Sequence, residues 1–565
     1  MNVPASLKNY CWFNYGVLPL WILVTMIFLH RELRHFDGLF GALTYPGIGE
    51  NGSGSYLDAP YLDIDEYEEG WIRYSYNSWL AARIPVRRSL PDYRDPLCLN
   101  ITYDEDFINM NPASIILIFR NEQLVVLLRT LHSLVSRTPK HLISELILVD
   151  DHSDAGFWKE KISVLLFDTY VRKYIYPKAR IYHFENHMGL IRARAWAASQ
   201  TMPVNLVFVD AQVEFTEGWL PPLLNTISEE IQTLATPILD EINEDNFGYL
   251  RSNETRGIYD WSLRRLEVPL SEEKRLMLPK PYEVAAVRTS VFAIPSVYFQ
   301  ELSYFDEELS GFGGAELELS FKVWRNAGRI VQVPCSRVGH LQPKNHHYLT
   351  RFGDPHEMGK EVSKNLKRIV EVWIDDPVLK STIYRYLPLL KNVYEGDLSV
   401  PRSKYDKYDS ESFQWFITEV MPELRQITPR NRLDFAFGHI KLEGYPDSCL
   451  TVNAERKHLT LEPCIANNTH QNWTLTHLND LRTADNFCLE VHSHVAVRYN
   501  YCHNLGGRQS WNYNSYTKQL VSNSLCLESG GRLYFYVGIC NTSQRRQRWF
   551  FDNLNLDLLA SVKTN

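Results

Sequence analysis

The sequence predicts an α/β domain with a mostly parallel sheet, followed by a smaller all-β domain. From about residue 112, short apolar runs alternate with helical patterns, an order typical of parallel strands covered by helices. Near the C-terminus, three Gln-x-Trp triplets recur every 38 residues, which indicates three copies of one β unit. Residues 10–29 are uncharged and mainly apolar, which adds a predicted membrane-spanning helix before both domains.

The composition restricts the class of protein. At 565 residues the chain is long enough for two or more domains. Hydrophobic residues make up 45% of the chain and charged residues 22%, which is ordinary for a folded protein. The net charge is −8 and no block of like charge stands out, so we expect no nucleic-acid partner.

The stretch at 10–29 has two interpretations. A cleaved signal peptide is one, but the charged sequence His-Arg-Glu-Leu-Arg at 30–34 follows directly, without a small-residue cleavage site. We therefore predict a cytoplasmic tail at 1–9, a transmembrane signal anchor at 10–29 and a luminal stem at 30–80. The Gly- and Ser-rich sequence at 47–55 predicts that the stem is flexible.

Flanking charges do not settle the orientation of the span, whereas the cysteines favour a luminal C-terminal part. Beyond Cys11, which lies in the span, eight cysteines remain, and an even number fits disulfides in an oxidising compartment. Glycosylation sequons indicate the same side of the membrane; they begin at Asn51, Asn100, Asn253, Asn467, Asn472 and Asn541.

The α/β region can be divided into elements by its apolar spacing. The predicted strands are 114–119, 145–149, 181–184 and 206–209, and the predicted helices are 122–136 and 189–199. This architecture alone identifies no ligand, because many chemistries share it.

Asp210 is the first candidate site residue, because it follows the buried strand 206–209. In open α/β sheets, ligands gather at the carboxyl ends of the strands. A carboxylate at that position suits a divalent cation that holds phosphates. The alternative is an aspartate that only caps a turn after a core strand.

The C-terminal repeats share three features. Each Gln-x-Trp triplet, at 471–473, 509–511 and 547–549, follows a pair of cysteines, and the first cysteine of each pair is followed by leucine. These features predict a pseudo-threefold fold in which the tryptophans meet in one core and each glutamine bonds nearby backbone.

Together, these segments resemble the polypeptide N-acetylgalactosaminyltransferases. The matching segments are 88–92, 128–130, 148–151, 189–194, 292–294, 313–314 and 338–340, with the triple Gln-x-Trp pattern. The resemblance implies a GT-A glycosyltransferase domain (Rossmann-like) at 81–430 and a ricin B-type β-trefoil lectin domain at 431–555, in a single-pass type II Golgi membrane protein. It implies Mn²⁺-dependent transfer of GalNAc from UDP-GalNAc to Ser or Thr of secretory polypeptides, with retention of configuration. It also implies four disulfides: Cys98 with Cys335, Cys449 with Cys464, Cys488 with Cys502, and Cys526 with Cys540.

The resemblance assigns roles to individual residues. It implies metal ligation by Asp210 and His340, with Gln212 as a weak ligand at the position of a family histidine. The implied nucleotide-sugar contacts are Asp151, His187, Asp210, Arg288, Phe312, His346 and Tyr348. The implied catalytic positions are Asp210, Tyr348 and Ala315, the last replacing a family glutamate.

Departures from the family pattern cluster at the site. Gln212 is a neutral donor that binds a transition metal less well than imidazole. Arg288-Thr289-Ser290 fill the place of Ala-Gly-Gly, where added side chains would crowd the sugar. Arg120, His187, Phe312, Glu316 and Pro343 also differ from the family residues. Losing one positioned charge at such a site typically costs about 10²–10³ in rate.

Two functions therefore remain open. One is a polypeptide GalNAc-transferase with an unusual donor or acceptor preference. The other is a weak or inactive paralogue that binds peptide, glycan or a sister transferase. In the lectin, Thr451, Glu490 and Glu528 replace the aspartates of family sugar sites, and a glutamate would displace its carboxylate by about 1 Å. We expect weak sugar binding there, with the repeats serving as scaffold.

Overall fold

The computed structural model describes most of the chain after the predicted anchor. The described residues are Tyr45, 47–56, 64–103, 111–158, 161–201, 205–311, 313–341, 355–407, 411–426, 434–453, 458–491, 496–503, 506–556 and Leu559. The predicted anchor at 10–29 lies outside them. Within the described part of the chain, none of the helices has the length and apolarity that crossing a membrane requires.

The first domain is built on one sheet. Its strands, together with the separate hairpin β8–β9, are β1 Ala113–Phe119, β2 Ile143–Asp150, β3 Ala179–His183, β4 Asn205–Val209, β5 Val213–Phe215, β6 Thr233–Ile242, β7 Tyr249–Leu250, β8 Thr255–Tyr259, β9 Arg265–Pro269, β10 Tyr282–Glu283, β11 Val291–Pro295 and β12 Arg329–Leu341. The sheet order is β10-β12-β6-β11-β4-β1-β2-β3, with β5 on β12 and β7 on β6.

Helices cover this sheet and extend beyond it. They are α1 Ile64–Tyr74, α2 Ser78–Ala81, α3 Leu124–Ser136, α4 Ala155–Trp158, α5 Lys161–Tyr170, α6 Leu190–Ser199, α7 Leu220–Glu229, α8 Glu272–Leu276, α9 Ser296–Glu301, α10 Ala315–Arg325, α11 Pro355–Trp373, α12 Pro377–Tyr386, α13 Ser399–Lys407, α14 Phe413–Trp415 and α15 Glu423–Gln426. Every strand and helix predicted from the apolar spacing is present, with ends shifted by one or two residues.

The sheet is mixed, so the prediction of a mostly parallel sheet is confirmed only in part: β12 pairs parallel with β6. Strands β3, β2, β1 and β4 are parallel, as predicted. Strand β11, however, runs antiparallel to both β4 and β6, and β5, β7 and β10 also pair antiparallel. The reason is that a strand buried on both faces shows a continuous apolar run in either direction, so its sequence does not reveal its polarity.

Strand β4 shows how both faces are buried. Leu206 and Phe208 lie in one core cluster, whereas Val207 and Val209 lie in the cluster on the opposite face. All four side chains are buried. This burial fixes the strand in register, so Asp210 is held at the carboxyl edge of the sheet.

The second domain is all-β. Its strands are β13 Ala436–Leu442, β14 Ser448–Asn453, β15 His458–Pro463, β16 Trp473–Leu475, β17 Leu481–Thr483, β18 Phe487–Val491, β19 Val497–Tyr501, β20 Asn512–Asn514, β21 Gln519–Ser522, β22 Leu525–Ser529, β23 Phe535–Ile539 and β24 Trp549–Leu554. They form an 8-stranded sheet and a 4-stranded sheet among the described residues.

The threefold repeat is confirmed by equivalent hydrogen bonds. The tryptophans of the three triplets are fully buried in one cluster. Each indole N–H donates to the carbonyl of the leucine after the first cysteine; the acceptors are Leu450, Leu489 and Leu527, at 2.7, 2.9 and 2.9 Å. Each triplet glutamine also donates to a backbone carbonyl, at Pro463, Tyr501 and Ile539.

The described residues contain four disulfides, with the pairing that the resemblance implies. Cys98 bonds Cys335 of β12 across 237 residues, and the other three bonds close the repeats. Disulfides of this number are typical of proteins in oxidising compartments.

The segment before residue 81 differs from the flexible stem that its composition predicts. Tyr76, Trp79 and Leu80 are buried in a cluster with Phe247 and Tyr249 of the sheet domain. Upstream, a Cβ at Gly52 would lie 2.6 Å from the Cβ of Tyr249, and Gly52 has φ 67°. Glycine there allows close packing in a left-handed conformation, so its presence does not signal a flexible linker.

Candidate functional site

Asp210 follows β4 at the carboxyl edge of the sheet. Its Oδ1 accepts a hydrogen bond from Nη2 of Arg194 on α6 at 2.7 Å, and its backbone N–H donates to the carbonyl of Ser290 at 2.8 Å. Burial raises the pKa of the Asp210 carboxyl, and Arg194 and the Ser290 side chain offset part of this rise. Arg194 and Ser290 therefore both hold the Asp210 side chain, and a second ionisable group lies close to its Oδ2.

His340, near the end of β12, is that neighbour. Its Nε2 lies 3.7 Å from Oδ2 of Asp210, although the two residues are far apart in sequence. Its Nδ1 is buried and has no hydrogen-bond partner among the described residues. Burial, together with the positive charge of Arg288, lowers the pKa of His340 to about 3, so the imidazole is neutral at physiological pH. A neutral imidazole is the form that ligates metals.

The backbone of Gln212 lies beside the end of β12, next to His340. Its carbonyl accepts a hydrogen bond from the N–H of Leu341 at 2.9 Å, which sets Gln212 beside His340. Its side-chain Nε2 donates to Oε2 of Glu122 at 2.5 Å. The structure thus brings the side chains of Asp210 and His340 within 3.7 Å of each other and places the backbone of Gln212 beside them; metal ligation by the three stays a prediction.

The guanidinium group of Arg288 is hydrogen-bonded to a carboxylate of the same chain. Its Nη2 and Nε lie 2.7 and 3.1 Å from Oε1 of Glu267 on β9. Burial opposes ionisation of Glu267, but Arg265 and Arg288 outweigh it and lower the pKa of Glu267 to about 2. The charge of Arg288 is therefore partly neutralised within the protein, and a contact with the nucleotide sugar stays a prediction.

The Thr289-Ser290 segment lies next to Asp210 and bonds its neighbours. The N–H of Thr289 donates to Oε1 of Glu316 at 3.2 Å, and its carbonyl accepts from Arg194 at 2.9 Å. Ala315 begins α10 directly before Glu316, and its methyl group supplies no carboxylate. Backbone groups of Thr289 are thus bonded to Glu316 and Arg194, and crowding of the sugar by the side chains of this segment stays a prediction.

Asp151 holds the turn before α6. Its two oxygens accept hydrogen bonds from the N–H groups of Met188 and Gly189 at 2.8 and 2.9 Å, and His187 Nδ1 lies 2.9 Å from Oδ2. The described contacts of Asp151 and His187 are therefore structural. Their implied contacts with the nucleotide stay predictions.

Several predicted positions fall outside the described residues: Phe312, Pro343, His346 and Tyr348. Among the described residues, no group of three or more His, Cys, Asp or Glu side chains could hold a metal ion. Gln212, the third predicted metal position, is outside that set of residue types, and its backbone carbonyl bonds the N–H of Leu341 next to His340.

Two residues that the sequence analysis missed contact this site: Glu122 and Arg194. Glu122 follows β1, whose carboxyl end lies beside that of β4, so the strand-end rule could have identified it. Arg194 lies in the segment 189–194 that matches the family, and this match is the signal that could have identified it.

Comparisons with known proteins agree with this architecture. Residues 114–281 match the model of glycosyl transferase family 2, and residues 436–549 match that of the ricin-type beta-trefoil lectin domain. A Drosophila melanogaster protein named "Putative inactive polypeptide N-acetylgalactosaminyltransferase 12" is 60% identical over 508 residues, covering 90% of this chain and 90% of that protein. "Polypeptide N-acetylgalactosaminyltransferase 8" of the same species is 31% identical over 503 residues, covering 87% of this chain and 83% of that protein.

The chain belongs to the polypeptide N-acetylgalactosaminyltransferase family. A solved structure described as "GalNAc-T7 with UDP, GalNAc and Mn2+" matches with a TM-score of 0.62 and 26% identity, covering 91% of this chain and 94% of that chain. The molecule is thus a GT-A catalytic domain with a mixed sheet, followed by an all-β ricin-type lectin domain.

The site of this GalNAc-transferase homologue fits a divalent cation. The 3.7 Å between Asp210 Oδ2 and His340 Nε2 can be spanned by two metal–ligand bonds of about 2.1 Å each. The Nδ1 of His340 has no hydrogen-bond partner among the described residues, and Nε2 is the ring nitrogen that faces Asp210. A carboxylate, a neutral imidazole and an amide oxygen together suit Mn²⁺ when a diphosphate supplies further oxygens.

The three lectin positions share one contact. Each accepts a hydrogen bond from the glutamine of its own Gln-x-Trp triplet. The distances are 3.0 Å from Gln471 to Thr451, 3.2 Å from Gln509 to Glu490 and 2.9 Å from Gln547 to Glu528. This contact supports a scaffold role, and sugar binding at these positions stays a prediction.

His183, on strand β3 at one end of the large sheet, makes the stability of the sheet domain depend on pH. It lies 3.0 Å from Asp150 and 3.1 Å from Asp168. Burial opposes its charged form, but the two carboxylates outweigh this and raise the pKa of His183 to about 9. Because this value exceeds the ~6.5 of an exposed histidine, the stabilisation is full below pH 6.5 and is lost as the pH rises through 9.

We therefore expect the melting temperature to fall between pH 6.5 and pH 9 more steeply in the unaltered chain than in His183→Gln. Differential scanning calorimetry across this range measures the difference. Parallel pH profiles of the two proteins would contradict the assignment.

Proposed function

We propose that this chain binds UDP-GalNAc with Mn²⁺ and a Ser- or Thr-containing polypeptide in the Golgi lumen, and transfers GalNAc at a strongly reduced rate. The observation that carries the proposal is that the site around Asp210 keeps residues that could bind a cation but lacks charged groups that transfer requires. Asp210 and His340 lie 3.7 Å apart and can share one cation, whereas Ala315 supplies no carboxylate and Arg288 is paired with Glu267.

The chain's own groups have separate roles in this proposal. Asp210, His340 and the amide oxygen of Gln212 would hold the cation, which when bound would neutralise charge that develops on the diphosphate. Arg194 orients Asp210 through a 2.7 Å hydrogen bond. The missing carboxylate at residue 315 removes a polar group from the crevice, and such a loss costs about 10²–10³ in rate.

Slow transfer leaves binding as the main activity. The relative that is 60% identical is named "Putative inactive", which favours a role in binding acceptor peptides, glycopeptides or a sister transferase. Four disulfides and the apolar stretch at 10–29 support a single-pass type II protein with both domains in the lumen. Co-localisation with a Golgi marker, with protease protection in intact vesicles, tests this location.

A thermal-shift experiment on the luminal chain tests donor binding. We expect millimolar UDP with Mn²⁺ to raise the melting temperature, because a ligand that binds only the folded form stabilises it, by about 2.7 kcal/mol at 100 times Kd. Asp210→Asn should abolish the shift. Asp485→Asn, which removes a half-exposed carboxylate in the lectin domain, should not change it.

Two results would contradict the proposal. The absence of a shift in the unaltered chain would exclude donor binding with Mn²⁺. Transfer from UDP-GalNAc to a mucin-like peptide panel at the rate of the Drosophila relative that is 31% identical would exclude the reduced rate.

A further inference from the structure

Tyr76, Glu122 and Gln212 form a hydrogen-bonded row beside the Asp210–His340 pair. The hydroxyl of Tyr76 donates to Oε1 of Glu122 at 2.6 Å, and Nε2 of Gln212 donates to Oε2 at 2.5 Å. Tyr76 is fully buried, and Glu122 and Gln212 are nearly so. The row thus crosses from the segment before residue 81, through the end of β1, to the site.

The row fixes which way the amide of Gln212 faces. A carboxylate only accepts hydrogen bonds, so the amide NH₂ group must face Glu122 and the amide oxygen must face away from it. The backbone N–H of Gln123 also donates to Oε1 of Glu122, at 2.9 Å, which adds to the donors that hold this carboxylate in place. The oxygen of the Gln212 amide receives no hydrogen bond from any residue that the structure describes.

We propose that Tyr76 and Glu122 are positioning residues that present the amide oxygen of Gln212 as a cation ligand beside Asp210 and His340. This inference rests on the proposed function and extends it, because it makes Gln212 a replacement ligand and assigns the class of cation. Histidines that bind metals usually donate their second N–H to a carboxylate, which orients the ring. A glutamine amide has the same arrangement of one donor side and one acceptor side, so Glu122 can orient either residue.

The replacement changes the chemistry of the ligand. An oxygen donor at residue 212 gives the site two oxygens and one nitrogen, since Asp210 supplies a carboxylate and His340 an imidazole. Oxygen ligands favour hard cations such as Mg²⁺, Ca²⁺ and Mn²⁺, whereas imidazole favours Zn²⁺ and Co²⁺. The site therefore selects hard divalent cations more strongly than one with two histidines.

The row also gives the segment before residue 81 a role at the site. Tyr76 is held by the cluster that contains Trp79, Leu80 and Phe247. Movement of this segment away from the sheet would withdraw the Tyr76 hydroxyl from Glu122, because the hydroxyl reaches Glu122 from a segment 46 residues away in sequence.

Direct cation binding tests the proposal without any transfer step. Free Mn²⁺ is measured by electron paramagnetic resonance in the presence of UDP and without acceptor. We expect Glu122→Gln to weaken Mn²⁺ binding by about 10- to 100-fold, because the amide introduced at residue 122 can donate to the Gln212 oxygen and turn the Gln212 side chain. Tyr76→Phe removes one oxygen atom and should weaken binding by a smaller factor, about threefold.

A matched control and an inverse variant sharpen the test. Tyr176→Phe removes a buried hydroxyl that donates to the Ile143 carbonyl at 2.8 Å, away from the row, and should leave Mn²⁺ binding unchanged. Gln212→His should strengthen Co²⁺ binding more than Mg²⁺ binding, measured by competition against Mn²⁺. Melting temperatures of all variants show whether each has folded.

The outcomes separate the two proposals. If the unaltered chain binds Mn²⁺, Asp210→Asn does not, and Glu122→Gln and Tyr76→Phe bind as tightly as the unaltered chain, the positioning row is overturned and the proposed function stands. An unchanged ratio of Co²⁺ to Mg²⁺ affinity in Gln212→His would overturn the assigned cation class. No Mn²⁺ binding by the unaltered chain, with or without UDP, would overturn both proposals.

Discussion

Replacing Ala315 by Glu and Gln212 by His together is expected to raise the rate of GalNAc transfer by about 10²-fold or more. The gain should come mainly from residue 315, since the amide oxygen of Gln212 already serves as a ligand in our proposal. Ala315 is the first residue of α10, where a carboxylate also interacts favourably with the helix dipole. Initial rates with UDP-GalNAc, Mn²⁺ and a mucin-like peptide panel measure the effect.

Single variants separate the contributions. Ala315→Gln adds a side chain of the same length without charge, so it should give little of the gain. Gln212→His alone should change cation preference more than rate. If the double variant transfers no faster than the unaltered chain, the Arg288-Thr289-Ser290 segment is responsible, because its groups bond Asp210, Glu267 and Glu316.

The strands around Asp210 could be predicted because each is a short apolar run with a polar residue at its end. The run at 206–209 is buried on both faces, and the residue after it had to emerge at the carboxyl edge. The direction of β11 could not be predicted in this way. Its residues, at 291–295, are all buried, so their pattern is the same for a parallel and an antiparallel neighbour.

The site was predictable only as far as its residue types. Asp210, Gln212 and His340 were candidates from sequence, and the structure brings them together. The pairing of Arg288 with Glu267 depends on the hairpin β8–β9, which brings two residues of separate segments into contact.

The Gly-rich segment at 47–55 was misleading because glycine serves both flexible linkers and close packing, and composition does not distinguish them.

Arg88→Met is expected to lower the free energy of unfolding of the sheet domain by about 3–5 kcal/mol. Arg88 is fully buried and bonds both oxygens of Glu214 on β5, at 2.8 and 2.9 Å. A third bond, from Nη1 to the Phe247 carbonyl at 2.8 Å, ties β5 to the cluster that contains Phe247 and Tyr76. Burial favours the neutral form of Glu214, but Arg88 and Arg129 hold its pKa below the usual value.

The expected cost arises because removal of Arg88 leaves the buried carboxylate of Glu214 without its bidentate partner. Urea unfolding, with the melting temperature as a second measure, gives the change. Arg275→Met is the matched control: its pair with Glu272 is largely exposed, and its loss should cost less than about 0.5 kcal/mol. Since breaking a buried pair costs more than replacing both partners, Arg88→Met with Glu214→Leu should recover part of the loss. Equal destabilisation by Arg88→Met and Arg275→Met would show that the buried pair does not stabilise the sheet domain.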